Sequence, residues 1–355
     1  MARRSWVSPL EGVRHQLRQR QRRWARHILS SQNLKHIVSE ANPPDARPPE
    51  TFRFFAIVGT WMEEDIVEAT VRNAFAQGVE AVFVVDNAST DRTVERATAA
   101  GATLVESFET DLYEERVRIL LMNAAVARIS FSTGASSIWW LWLDADEFPE
   151  GPGGLTIAEY LRTLDRRFRV VGSTFYNHFP TAKPEYIPGF HPLDFQPMCE
   201  QYTAPFDHGC GMPHYKHPLQ RFDRNGPFTM ASGGFHTVTL RTRAPLYEPV
   251  GGIVTHHITY RDESVTRSRL ARLCGGPNRN VSNDAMGNRT IQQRFDSLNA
   301  VYEQNWARVN NLQGQEPALG VHPHPWPHLN SLRRWYDLED VERAKEGWVM
   351  DYSPS

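Results

Sequence analysis

The chain has 355 residues, a formal net charge of -2, 40% hydrophobic and 23% charged residues, and three cysteines. That length holds one large domain with appendages, or two domains, around a sizeable core. The near-zero charge gives no reason to expect a nucleic-acid partner, and Cys199, Cys210 and Cys274 are too few and too odd in number for a disulfide-stapled scaffold. No apolar run reaches the roughly 18–20 residues of a transmembrane helix, and the N-terminus lacks the apolar core of a signal peptide. A cytoplasmic protein is expected.

Residues 1–50 hold ten Lys/Arg against four Asp/Glu. Val13, Leu17, Trp24 and Ile28 fall near one face of an expected helix over residues 1–40. Such a basic helix fits peripheral contact with the anionic inner face of a membrane, or packing on its own domain with the arginines outward. The Pro-rich stretch 41–49 reads as a stiff linker. Phe52 to Val58, bounded by Gly59, is the first expected strand, and Glu63-Glu64-Asp65 open a helix to about Gln77. Ala81–Val85 is a second strand leading into Asp86-Asn87-Ala88-Ser89-Thr90-Asp91-Arg92-Thr93, a turn and helix cap. A helix over 92–100, a strand over 102–107 and a helix from about Leu112 to Ile129 follow.

Ile138-Trp139-Trp140-Leu141-Trp142-Leu143 has no polar alternation, so it reads as a strand buried on both faces. It runs into Asp144-Ala145-Asp146-Glu147-Phe148. Three carboxylates within four residues, at the carboxyl end of a strand, repel one another unless a cation sits among them. Hard oxygen donors suit Mg²⁺ or Mn²⁺ holding substrate phosphates. A solvated acidic turn is the bland alternative. After a turn at 151–154 come a short helix over 156–164 and a strand over 170–176. Residues 177–236, rich in Pro, His and aromatics, read as an irregular acceptor or lid region. Residues 251–260 form a last strand, and helical segments are expected near 262–274 and 290–310. Alternating strands and helices predict an α/β domain with a mostly parallel sheet and helices on both faces.

These motifs resemble those of the family 2 glycosyltransferases. Asp86–Thr93 is similar to that family's Asp-Asp-Gly-Ser-x-Asp-x-Thr element, with Asn87 and Ala88 replacing the second Asp and the Gly. Glu63-Glu64-Asp65 is similar to its Asn-Glu pair, and Asp144-Ala145-Asp146 stands in the place of its Asp-x-Asp. The branch most resembled reads Asp-Ala-Asp-Glu-Phe and ends in a His-x-x-x-Arg element. His257 and Arg261 fit that register, and His256 fits a register moved by one. The resemblance covers about residues 52–265. It implies a GT-A (Rossmann-like) fold, mostly parallel and flanked by helices, with helical N- and C-terminal extensions. The domain would span 51–265, with a donor half over 51–150 and an acceptor half over 151–265, between extensions over 1–50 and 266–355.

The resemblance also implies a nucleotide-diphosphate sugar donor and Mn²⁺ or Mg²⁺. Asp86 would contact the base, with Asn87 beside it, and Glu63 or Glu64 the ribose side. Asp144 and Asp146 would bind the ribose and the metal-bridged diphosphate, and Arg116 and Asn123 the donor. The Asn87 and Ala88 departures leave open which base is read. Because His256 and His257 alternate faces on a strand, only one of them faces a metal.

A transfer to an acceptor hydroxyl with inversion needs a general base. The candidates are Asp194, Asp207, Glu200 and Asp223, with Asp223 favoured and Glu200 next. The acceptor class, whether glycan, lipid-linked or small molecule, is left open. A zinc site from Cys199, His208, Cys210, His214 and His217 has suitable ligand types but none of the usual spacings. Two other readings stay in play: a metal-dependent phosphohydrolase or nucleotidyltransferase, and a non-catalytic nucleotide-sugar-binding protein.

Overall fold

The computed structural model describes residues 37–48, 51–109, 115–179, 189–196, 198–201, 216–223, 229–231, 238–240, 245–258, 261 and 339. The expected helices over 262–274 and 290–310, the C-terminal extension apart from residue 339, and residues 1–36 of the expected N-terminal helix lie outside these residues; residues 37–40, expected in that helix, form a strand instead. Among them no helix is long and apolar enough to cross a membrane.

The elements in chain order are β1 Ile37–Glu40, β2 Arg53–Thr60, α1 Val67–Ala76, β3 Ala81–Asp86, α2 Thr93–Ala99, β4 Thr103–Ser107 and α3 Glu115–Thr133. Then come β5 Ser137–Asp144, β6 Glu147–Glu150, α4 Ile157–Leu161, β7 Val170–Phe179, β8 Met198–Gln201 and β9 Lys216–Asp223. The last are β10 Thr229–Ala231, β11 Val238–Leu240, β12 Leu246–Pro249 and β13 Ile253–His257.

Nine strands make one sheet in the order β4-β3-β2-β5-β9-β7-β13-β6, with β8 paired to β7. The α/β class is as expected, but only β4, β3, β2 and β5 form the continuous parallel part. β9 runs antiparallel to both of its neighbours, and β6 antiparallel to β13. The sheet is therefore mixed rather than mostly parallel. Three strands of this sheet, β6, β8 and β9, were not legible as strands: β6 contains a proline and two glutamates, and β8 and β9 lie inside the stretch without regular period.

The Trp-rich strand is buried on both faces, as its apolar run requires. Trp139, Leu141 and Leu143 pack on one side with Phe54, Ala56, Val58 and residues of α1, α2 and α4. Ile138, Trp140 and Trp142 pack on the other with Phe55, Ile57 and Ile119, Met122, Ala125 and Val126 of α3. Trp140 fits edge-on to Phe55 and donates its indole N–H to Ser130 Oγ at 2.9 Å. Each such side chain contributes roughly 1.5–3 kcal/mol of burial.

Residues 41–48 are not a free linker. Asn42 Nδ2 donates to the Thr163 carbonyl at 2.8 Å, and the Arg47 N–H donates to Asp165 Oδ2 at 2.8 Å. β1 pairs in parallel with β12, so the main body begins before residue 51.

One consequence of the topology shapes the site. β5 and β6 are separated in the sheet by β9, β7 and β13. In a flat sheet they would lie four spacings, about 19 Å, apart. The three steps from Asp144 to Glu147 reach about 11 Å at most. The sheet must curl at the carboxyl end of β5, and the curl brings the ends of β5, β9, β7, β13 and β6 around one crevice.

Candidate active site

Asp144 ends β5, Ala145 and Asp146 form the turn, and Glu147 opens β6. Asp144 is bonded through Oδ1 to Arg118 of α3 and through Oδ2 to Lys216 Nζ of β9, the latter at 3.1 Å. Lys216 also pairs with Glu147. Lys216 and Arg118 are buried, and Glu147 is fully so. Gly59 lies opposite Asp144 on β2, and a β-carbon there would meet Arg118 Cδ and Nη1 at 2.9 Å. The missing side chain is what lets Arg118 cross the end of β2. Burial raises the Asp144 carboxyl, but Arg118 and then Lys216 outweigh it and hold the group below the usual aspartate range. For Glu147 burial wins over Lys216, and its carboxyl is pushed up to about 7.

The two histidines separate as strand geometry demands. His257 Nε2 lies 3.7 Å from Asp146 Oδ2, while its Nδ1 donates to Asn177 Oδ1 at 3.0 Å. That bond orients the ring so that Nε2 is turned toward Asp146. His256 turns to the other face, where it meets Glu150 at 3.4 Å and His178 at 2.8 Å. His178 Nδ1 donates to the Gln196 carbonyl at 2.6 Å, so its Nε2 accepts from His256 Nδ1. Burial, and then the neighbouring His256, push His178 well below the usual histidine range. The structure thus brings His257, not His256, to the carboxylates.

The loops after β2 and β3 lock together beside this crevice. The Met62 N–H donates to Ser89 Oγ at 2.8 Å, Glu63 N–H to Thr93 Oγ1 at 2.7 Å, and Glu64 N–H to Asp91 Oδ2 at 3.3 Å. Met62 and Ala88 have positive φ, 59° and 47°, a conformation that costs a non-glycine residue energy and clusters at functional sites. Asp86 is buried and accepts from Thr60 Oγ1 at 2.8 Å and from the Ser89 hydroxyl and N–H at 2.7 and 2.8 Å. Its carboxylate thereby shapes the turn. Asn87 is buried beside it.

The other expected donor contacts are also engaged within the protein. Glu63 pairs with the fully buried Arg261 at 2.8 Å, and Arg261 reaches Asp65 at 2.8 Å as well. Glu64 accepts from the Arg92 N–H at 3.0 Å. Asn123 donates to the Ile119 carbonyl of its own helix at 2.9 Å. Arg116 lies on α3, with its side chain outside the described atoms.

Asp223 is not at this site. It stands opposite Ser137, at the amino end of β5, about 23 Å of strand from Asp144. There it pairs with Arg169 at 2.8 Å and Arg221 at 3.1 Å. The antiparallel run of β9, which the sequence does not announce, carries it away. Glu200 lies in β8 opposite Asn177, at the crevice end, with its side chain outside the described atoms. Asp194 sits in a short turn over Pro192–Asp194, and Asp207 lies outside the described residues. Of the residues grouped as a zinc alternative, His217 bonds Glu248 at 3.0 Å.

Lys216 and Arg118 are the site residues that sequence reading misses. A lone Lys in an irregular stretch gives no signal, and Arg118 shares its helix with Arg116 without a spacing that favours either.

No known family model matches the sequence, and no curated protein resembles it closely enough to count as a relative. Among solved structures, the chain is similar to glucosyl-3-phosphoglycerate synthase from Mycobacterium tuberculosis in complex with phosphoglyceric acid. The identity is 17% and the TM-score 0.33, over 70% of this chain and 90% of that one. The same enzyme in complex with Mg²⁺ and uridine-diphosphate gives 17% and 0.32, over 70% and 89%. A structure described as a mycobacterial protein gives 14% and 0.31, over 67% and 82%. At this level of likeness nothing about residues or activity carries over.

Proposed function

We propose that the chain is a metal-dependent glycosyltransferase that moves a sugar from a nucleotide-diphosphate sugar to an acceptor hydroxyl. The observation that carries this reading is the pair Asp146 Oδ2 and His257 Nε2, 3.7 Å apart at the mouth of the curled sheet. Adjacent ligands of one octahedral ion bonded at 2.0–2.1 Å lie about 3 Å apart, so a small closure suits the pair to a shared cation. The bond from His257 Nδ1 to Asn177 is the outer-shell contact that fixes a ligating imidazole. Among the described residues no three His, Cys, Asp or Glu form a ready-made metal cage. Mg²⁺ and Mn²⁺ sites on phosphates need none, since one or two protein ligands and the phosphates suffice. An imidazole donor favours Mn²⁺ over Mg²⁺.

When bound, the cation would stabilise charge developing on the leaving diphosphate. Asp144, held by Arg118 and Lys216, is preset for the ribose side rather than the metal shell. The locked loops 61–65 and 86–93 form the wall for the base, with Asp86 acting through the turn it closes. The general base is assigned to Glu200, whose strand position lies beside Asn177 and His257. Asp223 has no part in this chemistry. A panel of nucleotide-diphosphate sugars with and without Mn²⁺ tests the reading. Mn²⁺-dependent sugar transfer or donor hydrolysis supports it. Phosphate release without sugar transfer indicates a phosphohydrolase, and donor binding without turnover a binding protein.

A further inference from the structure

The metal-binding turn is held from behind by a buried polar stripe on α1. Thr70, Asn73 and Gln77 recur at helical spacing, all three buried, on a helix whose other buried positions are apolar. Polar side chains in a helix-to-sheet contact carry a desolvation cost unless each finds a partner. Each one does: Thr70 and Asn73 find partners in the segment that carries the carboxylates, and Gln77 finds them just beyond it. The Thr70 hydroxyl donates to the carbonyl of Ala145, the residue between Asp144 and Asp146. Asn73 Nδ2 donates to the Pro149 carbonyl of β6 at 3.0 Å, and its Oδ1 accepts from His191 at 3.1 Å. Gln77 Oε1 accepts from the N–H groups of Gly151 and Ile157 at 3.2 and 3.1 Å. The next carbonyl of the turn, that of Asp146, accepts from the Ile258 N–H at 2.9 Å. Both peptide carbonyls of the turn are thus pinned, one by α1 and one by the end of β13.

We infer that Thr70 is a positioning residue for the metal site, acting through the Ala145 peptide on where Asp146 meets His257; this rests on the glycosyltransferase reading above. α1 leads directly out of the loop that Glu63 and Asp65 anchor to Arg261. One rigid helix therefore ties the nucleotide-side loop to the metal turn. Thr70 touches neither donor nor metal. Its removal loosens the angle at which two ligands converge, a defect that lowers metal affinity more than it disturbs the fold.

The test is Mn²⁺ titration by electron paramagnetic resonance, with UDP and GDP in parallel, on the full chain. Thr70→Val keeps the shape and removes the hydroxyl, Thr70→Ser keeps the hydroxyl, and Val71→Ala destabilises the same helix from its apolar side. Loss of an outer-shell hydrogen bond lowers metal affinity about 10–100-fold. A loss of about tenfold is expected for Thr70→Val, with Thr70→Ser and Val71→Ala close to wild type. If Thr70→Val does not fold, Thr70→Ala against Thr70→Ser carries the same comparison. Equal Mn²⁺ affinity with and without the hydroxyl, or an equal loss in Val71→Ala, overturns the positioning role while leaving the metal site standing. A wild-type chain that binds no Mn²⁺ overturns the metal site itself, and the positioning role with it.

Discussion

The two ends of β5 carry buried charge of opposite balance. At the carboxyl end Asp144, Asp146 and Glu147 face Arg118 and Lys216, with His257 alongside. At the amino end, among the described residues, Asp223 faces Arg169 and Arg221. β9 contributes to both clusters, Lys216 at one end and Arg221 and Asp223 at the other, so residue type alone does not tell them apart. The difference lies in how each cluster is arranged. At the amino end the guanidiniums reach past Asp223 to main-chain carbonyls of residues 166 and 221, and the cluster closes on itself as a brace. At the carboxyl end two cations engage Asp144 and Glu147, and Asp146 and His257 converge beside them, 3.7 Å apart. A carboxylate near a strand is evidence of chemistry only when its end of the sheet is known.

The sharpest way to break this comparison is to remove one carboxylate from each end. Asp146→Asn should lower metal-dependent turnover at least about 10²-fold, the scale seen when a group that stabilises developing charge is lost. Asp223→Asn should leave turnover within a few-fold while lowering stability by roughly 1–3 kcal/mol, since it strips charge from two largely buried arginines. Steady-state kinetics and denaturant melts read both. Next in size is Lys216→Met, which leaves two carboxylates buried without their shared cation. Breaking a buried pair from one side costs about 3–5 kcal/mol, read by the same melts.

The acidic end should also titrate with a recognisable sign. Glu147 is pushed up to about 7, chiefly by burial, so the native state holds its proton more tightly than the unfolded chain. Its contribution to stability is complete below the ordinary glutamate pKa of about 4.3 and is lost as pH rises to about 7. Asp144 has the opposite sign: its lowered pKa contributes stability above the ordinary aspartate value, which is lost as pH falls. Glu147→Gln should flatten the stability profile between about pH 4.3 and 7 and leave the acid limb in place. An unchanged slope would remove the assignment of that slope to Glu147. The smallest expected effect lies at the turn after β3. Ala88→Gly relieves a positive φ of 47° and should stabilise the fold by up to roughly 1 kcal/mol.

Much of residues 51–150 was legible. The apolar run from Ile138 to Leu143 could only be a doubly buried strand, and the turn formers after Val85 could only close one. Asp144 and Asp146 follow from their place at that strand's end. The parity of His256 and His257 was legible as an alternative, and in β13 it is His257 that lies beside Asp146 and His256 beside Glu150. What stayed hidden depends on contacts distant in sequence. β9 gives no period, so neither the burial of Lys216 nor the displacement of Asp223 could be read. The sheet's curl follows from the β5–β6 connection, which shows only once β6 is known to pair with β13. The stripe of Thr70, Asn73 and Gln77 looks in sequence like the exposed side of an amphipathic helix, and is buried because the main chain of the turn, of β6 and of the segment after it takes its hydrogen bonds.

Thermal shift tests whether Asp146 and His257 hold a divalent cation for a nucleoside diphosphate. Wild type, Asp146→Asn and Asp223→Asn would be melted with UDP or GDP, with and without Mn²⁺. Specific binding raises the melting temperature by mass action. Wild type and Asp223→Asn should show a shift that requires both Mn²⁺ and one of the diphosphates, and Asp146→Asn should show none. An undiminished shift in Asp146→Asn, or its loss in Asp223→Asn, would contradict the account.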